Sequence, residues 1–454
     1  MPQMSEETIN VLRVSISMMI LFTAVLSHEF LMEPLLHGLA QGGIGGIQNR
    51  DGYMILCIMY FFNSASCFFA PYLVAKLTGK YAMVLGMVSV LCCQASFVFP
   101  QRIPIIATSV LVGVGTTFLW VGQGQYISDN VSDRNREKNT SLQWALFKMS
   151  LIYGGLFFFF YFQNASLETI VANGQVPAFI CVFMACTIIS LVNTCFLTQS
   201  EVTKNRVSQA FFQVSKNCIK LLKTQRMVFM GLFFFYTGFV RSFWISIFPA
   251  CIKFTSRLST NTTSLLTMGM IVTGSGQVLG SALVALVGDR VRKLGQHILI
   301  LSALILHITL FMVIALSFPN DAPLGHTNES GPVFQADVVM AMTISFLLGF
   351  GDAVLQTQIY SYIAKYYQKE SGTVFSIFRF ASGIASTIMF FGAQYFLLVH
   401  HLTLLTVSAC IAGFSILAFH KAIKKQYQDK AAVVVVSIAP WKPRAVSPIS
   451  PVRE

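Results

Sequence analysis

The stretches LVGVGTTFLWVGQGQYIS at residues 111–128 and LLGFGDAVLQTQIYS at residues 347–361 decide how this chain is read. Each opens on Gly-x-Gly, continues through apolar residues and closes on Gln-x-Gln with a Tyr and a Ser. A charged segment follows each. Trp144-Ala145-Leu146-Phe147-Lys148-Met149 then matches Phe375-Ser376-Ile377-Phe378-Arg379-Phe380, so Lys148 and Arg379 stand one to two turns into the next apolar run. The chain is two related halves. An internal repeat of this kind in a membrane protein implies two bundles related by an axis along the membrane normal.

Working outward, apolar runs alternate with short polar connections twelve times. A bilayer core needs about 20 residues of helix to cross it. Lipid offers no partner to an open backbone, so runs of that length are helices. The predicted spans are 11–32, 53–75, 82–99, 104–127, 142–162, 176–198, 227–250, 264–287, 296–318, 338–363, 373–398 and 402–420. The expected fold is all-α and polytopic: twelve transmembrane helices in two pseudo-symmetric six-helix bundles. The bundles fall at 1–200 and 227–425, with a linker at 201–226 and a disordered tail at 426–454.

Composition agrees. Of 454 residues, 55% are hydrophobic and 11% charged, and mean hydropathy is +0.66. Soluble domains carry about 25% charged residues. The first run is too long for a signal-peptide core and no Ala-x-Ala site follows, so it reads as the first transmembrane helix. The net charge of +13 has a topological explanation and does not point to nucleic acid. Connections on the side of the termini, tail included, hold 23 Lys and Arg, and those on the other side hold 4. The positive-inside rule then places both termini in the cytosol. On that topology Asn164, Asn261 and Asn328 are candidate glycosylation sites, whereas Asn130 and Asn139 face the cytosol and stay bare. The choice between plasma membrane and an endomembrane stays open.

In the linker, Phe211, Val214, Cys218, Leu221 and Leu222 recur at helical spacing with Lys216, Lys220 and Lys223 between them. This is either a basic amphipathic helix on the inner leaflet or an ordinary linker helix.

Ionisable residues inside spans are costly and so mark function or fixed packing. Asp352 lies mid-way along span ten, Arg241 well into span seven, and Glu29 toward the outer end of span one. Glu29 and Arg241 are candidates for an outer gate pair. Asp352 is a candidate for binding a cation, a proton or a cationic group of a substrate. Gln123, Gln125 and Trp120 join them as candidate cavity residues. Each can instead serve only to fix helix packing. Lys148 and Arg379 are expected at inner helix ends or lipid headgroups. Gly113, Gly115, Gly122 and Gly124 suit close helix approach.

No metal site or cofactor is expected. Eight of the ten Cys lie in spans, with no Cys-x-x-Cys, so they read as small buried hydrophobes. His28-Glu29 lacks the second His of a zinc protease helix. No nucleophile elbow is present, and nothing points to an enzyme.

Two six-helix bundles joined by a cytosolic loop resemble the major facilitator superfamily. Gly288-Asp289-Arg290-Val291-Arg292-Lys293 is similar to its cytosolic signature loop, in which the Asp caps a helix end and the cations meet headgroups. The corresponding first-half loop, Ala75–Lys80, lacks the acid. Leu119-Trp120-Val121-Gly122-Gln123-Gly124-Gln125-Tyr126 resembles the Unc-93-like branch, as do Phe318–Pro323 and Leu348–Asp352. The resemblance implies that spans one, four, seven and ten line a central cavity. It implies a secondary transporter of a small solute, or a non-transporting partner of a potassium-channel subunit or a trafficked receptor. Relatives carry an acid just after Tyr-Thr-Gly in span seven. Here Tyr236-Thr237-Gly238-Phe239 leads to Val240 and Arg241, a charge of opposite sign.

Overall fold

A computed structural model describes residues 6–130, 143–163, 166–198 and 211–438. Among them eleven helices are long and apolar enough to cross a membrane. The N-terminal half contains α1 (Glu6–Gln41), α2 (Asp51–Ser66), α3 (Ala70–Ser96), α4 (Arg102–Asn130), α5 (Gln143–Tyr161), a short α6 (Leu167–Ala172) and α7 (Val176–Cys195). A linker helix α8 (Phe211–Leu222) follows. The C-terminal half contains α9 (Gln225–Phe254), α10 (Thr262–Leu294), α11 (Gln296–Ser317), α12 (Val338–Tyr366), α13 (Ser371–Ala393) and α14 (Leu398–Ile438).

The twelfth crossing is a broken one. The predicted span at 53–75 is α2 plus the start of α3, interrupted at Cys67–Phe69 by tight three-residue turns. Pro71 causes the break, because it has no N–H to offer the carbonyl four residues back. The next crossing starts after Thr78, whose φ of 71° bends the chain inside α3.

Helix pairing repeats between the halves. In the first, α1 packs on α5 and α7, α3 on α4 and α7, and α2 on α4. In the second, α9 packs on α13 and α14, α11 on α12 and α14, and α10 on α12. The halves meet along α2 with α13, α5 with α10, and α1 with α9.

The repeated Gly-x-Gly explains part of this correspondence. A Cβ on Gly113 would strike Met59 of α2, and one on Gly349 would strike Thr273 of α10. A Cβ on Gly115 would strike Ser89 of α3, and one on Gly351 would strike His307 of α11. In each half the first glycine seats one neighbouring helix and the second seats another.

Two expectations need correction, and one open choice is narrowed. The stretch Gly288–Lys293 is the end of α10, not a loop, and the chain turns only at Gly295, whose φ is 112°. Asp289 therefore cannot cap the end of that helix as a loop residue would, and the side chains of 287–294 lie outside the described residues. The tail does not lose structure at 426: α14 runs to Ile438, and 439–454 lie outside the described residues. In the linker helix, Cys218, Leu221 and Leu222 are turned into the protein, where α8 packs on α13 and α9. Its exposed positions are Lys216, Ile219, Lys220 and Lys223.

Replacing Gly115 or Gly351 by Val should cost about 1–3 kcal/mol through overpacking. The check is the apparent unfolding temperature in detergent, which should fall for both and stay unchanged for Gly124→Ala, where a Cβ meets open space.

Candidate functional site

Two prolines loosen the helices that carry the predicted charges. Pro34 lies inside α1 and cannot donate to the carbonyl of Phe30, next to Glu29. Pro249 likewise leaves Ile245 without its usual donor, and the backbone widens into a π-helical turn over Phe243–Ile247, directly after Arg241. Such turns concentrate at functional sites.

The structure brings Glu29 and Arg241 together, through a residue that the sequence did not single out. Tyr60 of α2 donates its hydroxyl to Glu29 Oε2 at 3.0 Å. It accepts from Arg241 Nε at 3.3 Å. The guanidinium carbon stands 5.9 Å from the Tyr60 ring centre. Glu29 is buried. The link therefore runs from α1 through α2 to α9, across the seam between the halves.

Asp352 lies in the same seam, half-way along α12 and 2% exposed. The charges of Lys148 and Arg241 act on it. Its Oδ1 accepts no hydrogen bond. The side chains of Trp244, from the π-helical turn, and of Gln356 act on the Asp352 carboxyl, although Trp244 Nε1 makes no full hydrogen bond. Lys148 reaches Gln277 Oε1 of α10 at 3.5 Å. It thus bridges the halves, where an inner helix end or lipid headgroup was expected. Gln123 and Gln125 hydrogen-bond to none of Glu29, Tyr60, Arg241 or Asp352, and Gln125 Nε2 is buried without a partner.

Toward the side of the termini, an aromatic layer closes the seam. Trp120 of α4 stacks on Trp144 of α5 at 6.0 Å, and Trp144 meets Tyr360 of α12 at 4.8 Å. The Arg379 guanidinium lies 4.5 Å over the Trp120 ring and reaches the Tyr360 hydroxyl at 3.5 Å. Trp120 is therefore a wall residue whose face is taken by a cation from the other half, an arrangement worth about 2 kcal/mol when desolvated.

On the far side a second layer closes it. The Tyr53 hydroxyl donates to the Pro323 carbonyl at 2.9 Å, and Arg50 to the Gln394 carbonyl at 2.9 Å. Buried Lys253 bonds Glu168 at 2.6 Å, and His326 lies 3.6 Å from the same oxygen. Partial burial pushes the Glu168 carboxyl up, but the charge and hydrogen bond of Lys253 outweigh it and leave the group below the ordinary carboxylate range. Burial, then the nearby Lys253, pushes His326 down. Glu33, at the edge of the first span, serves a local end: its Oε2 accepts from Tyr53 N at 3.0 Å and caps α2. Gly52 is required there, since a Cβ would strike the Glu33 backbone.

A small cavity inside the N-terminal bundle, about 20 Å³, is lined by His28, Glu29, Met59, Cys93 and Gln94 among others. It is large enough for one water. In the other bundle Tyr236 and His307 share a hydrogen bond of 2.7 Å, both fully buried. Among the candidate glycan sites, Asn328 is exposed, Asn261 is half-buried with its side chain accepting from Ser264 N at 3.1 Å, and Asn164 lies outside the described residues.

This architecture is the transporter fold of the major facilitator class. A POT family transporter in complex with a thioalcohol-conjugated peptide superposes with a TM-score of 0.69 at 9% identity, over 91% of this chain and 96% of that one. A D-xylose–proton symporter gives 0.66 at 12% identity, over 90% and 97%. The family model described as "Ion channel regulatory protein UNC-93" matches residues 43–417, and the chain belongs to that family. It is 26% identical to the UNC93-like protein MFSD11 of Xenopus tropicalis, over 89% of this chain and 94% of that protein. It is 23% identical to protein unc-93 homolog A of Bos taurus, over 91% and 94%.

Tyr60→Phe should remove the Glu29–Arg241 link and lower stability by about 1–3 kcal/mol, the cost of stranding buried polar groups. A double-mutant cycle with Glu29→Gln should be clearly non-additive in detergent thermostability, because both act on one network. Glu168→Gln should lower stability at pH 7. The difference should shrink as pH falls through the ordinary carboxylate value of 4.5 and vanish below the group's own, lower pKa, because a carboxyl with a depressed pKa stabilises only while ionised.

Proposed function

We propose that the protein is a secondary transporter of a small solute, working by alternating access between its two bundles. The observation that carries this is the set of charges in the seam, buried at Glu29 and Asp352 and half-buried at Arg241 and Lys148: Glu29 is joined to Arg241 through Tyr60, and the charges of Lys148 and Arg241 act on Asp352. Charges inside a membrane protein are expensive unless they are used. These sit between two layers of cross-half contacts, aromatic on one side and ionic on the other. Rocking the halves breaks one layer while keeping the other, and exposes the charges to one compartment at a time. Both termini face the cytosol on this reading, which the distribution of Lys and Arg supports.

The second reading is a non-transporting partner of a channel subunit or a trafficked receptor. The description of the family as ion channel regulatory proteins favours it. Asp352→Asn separates the two. In the transport reading, solute-dependent uptake into proteoliposomes falls by about tenfold or more while expression and thermostability hold. The candidate solutes come from an untargeted metabolite comparison of cells with and without the protein. If no solute moves and the variant supports a partner channel's current as well as the wild type, the second reading stands in its place. Topology has its own check: Asn328→Gln should remove a glycosidase-sensitive gel shift, and a tag after Glu454 should be unreachable from outside intact cells.

A further inference from the structure

We infer that the solute is a small zwitterion, a molecule carrying one compact anionic group and one ammonium in amino-acid fashion. This rests on the transport reading above and adds to it the chemical class of the substrate.

The argument begins with the sign and origin of the charges. The N-terminal half contributes one acid, Glu29, and one base, Lys148. Apart from Arg379, whose guanidinium is taken up by the Trp120 face in the closing aromatic layer, the C-terminal half contributes one base, Arg241, and one acid, Asp352. Each acid faces a base from the other half: Glu29 meets Arg241 across Tyr60, and Asp352 feels Lys148 and Arg241. The four formal charges sum to zero. A solute of one sign would leave an unmatched buried charge of the same sign as its own, and that costs several kcal/mol in a low-dielectric site.

Incomplete hydrogen bonding then excludes an uncharged solute as the best match. Asp352 Oδ1 is buried and accepts nothing, although a carboxylate has about four acceptor positions. Arg241 donates through Nε to Tyr60, and among the described residues this is the one hydrogen bond recorded for its guanidinium. Among the described residues Lys148 has one long hydrogen bond, to Gln277. A buried acceptor of negative charge therefore stands open on one helix, and donors of positive charge stand open on two others. An ammonium donating to Asp352 and a carboxylate accepting from Arg241 satisfy both with charge-assisted bonds, about twice as strong as neutral ones. Trp244 Nε1, unpaired beside Asp352, offers a further donor.

The test uses the reconstituted full chain and four probes of one shape: L-leucine, its methyl ester, 4-methylvalerate and 4-methyl-1-pentanol. Thermal-shift titration reads binding, and counterflow from preloaded vesicles reads transport. L-leucine should bind about thirtyfold or more tighter than either singly charged probe, the consequence of one unmatched buried charge. Arg241→Gln should erase the preference of L-leucine over its ester. Asp352→Asn should erase its preference over 4-methylvalerate. Equal binding of a singly charged or neutral probe overturns the inference without needing either variant to fold. If none of the four binds but another solute is transported, the class fails and the transport reading survives. If no solute moves in any assay, both fall.

Discussion

Lipid supplies neither a hydrogen bond nor a counter-charge, and this constraint orders the whole molecule. It forces the backbone into helices, and it leaves the seam between the two bundles as the place where buried charge can be matched. Glu29, Arg241, Lys148 and Asp352 all lie there because each finds its complement on the opposite half. The contacts that hold the bundles together are thus also the chemical lining of whatever passes between them.

The seam is layered. Arg379, Trp120, Trp144 and Tyr360 close one end with a cation over stacked rings. Tyr53, Arg50, Glu168 and Lys253 close the other with carbonyl hydrogen bonds and an ion pair. Both layers rest on contacts between side chains and carbonyls of different halves, so each can separate without unravelling a helix. Pro34 and Pro249 each remove one backbone hydrogen bond near Glu29 and Arg241, and at Pro249 the backbone widens into a π-helical turn.

Much of this was legible in the residues. The Gly-x-Gly pairs at 113/115 and 349/351 announced the repeat, and the structure shows why both are needed: each seats two neighbouring helices, the first glycine against backbone and the second against a side chain. The sequence also picked out Asp352, Arg241 and Glu29, because an ionisable residue in an apolar run is conspicuous. It missed Tyr60, since one phenol among many aromatic residues carries no signal until its partners are known. It placed Lys148 and Arg379 at inner helix ends or lipid headgroups and did not foresee that both reach the opposite half, because position along a helix does not say which neighbour the side chain meets. It read Gly288–Lys293 as a loop because charge density marks the end of lipid contact, and a helix can outrun the bilayer.

What the sequence determined by itself was the number of crossings, the division into related halves and the identity of the costly charges. Those follow from hydropathy and spacing, which are properties of short segments. Only the tertiary structure decided that Tyr60 joins Glu29 to Arg241 across the halves, that Lys148 reaches Gln277 of the other half, and that Trp120 lies under Arg379. Such pairings join residues hundreds of positions apart in the chain, and only the packing of whole helices brings them within bonding distance.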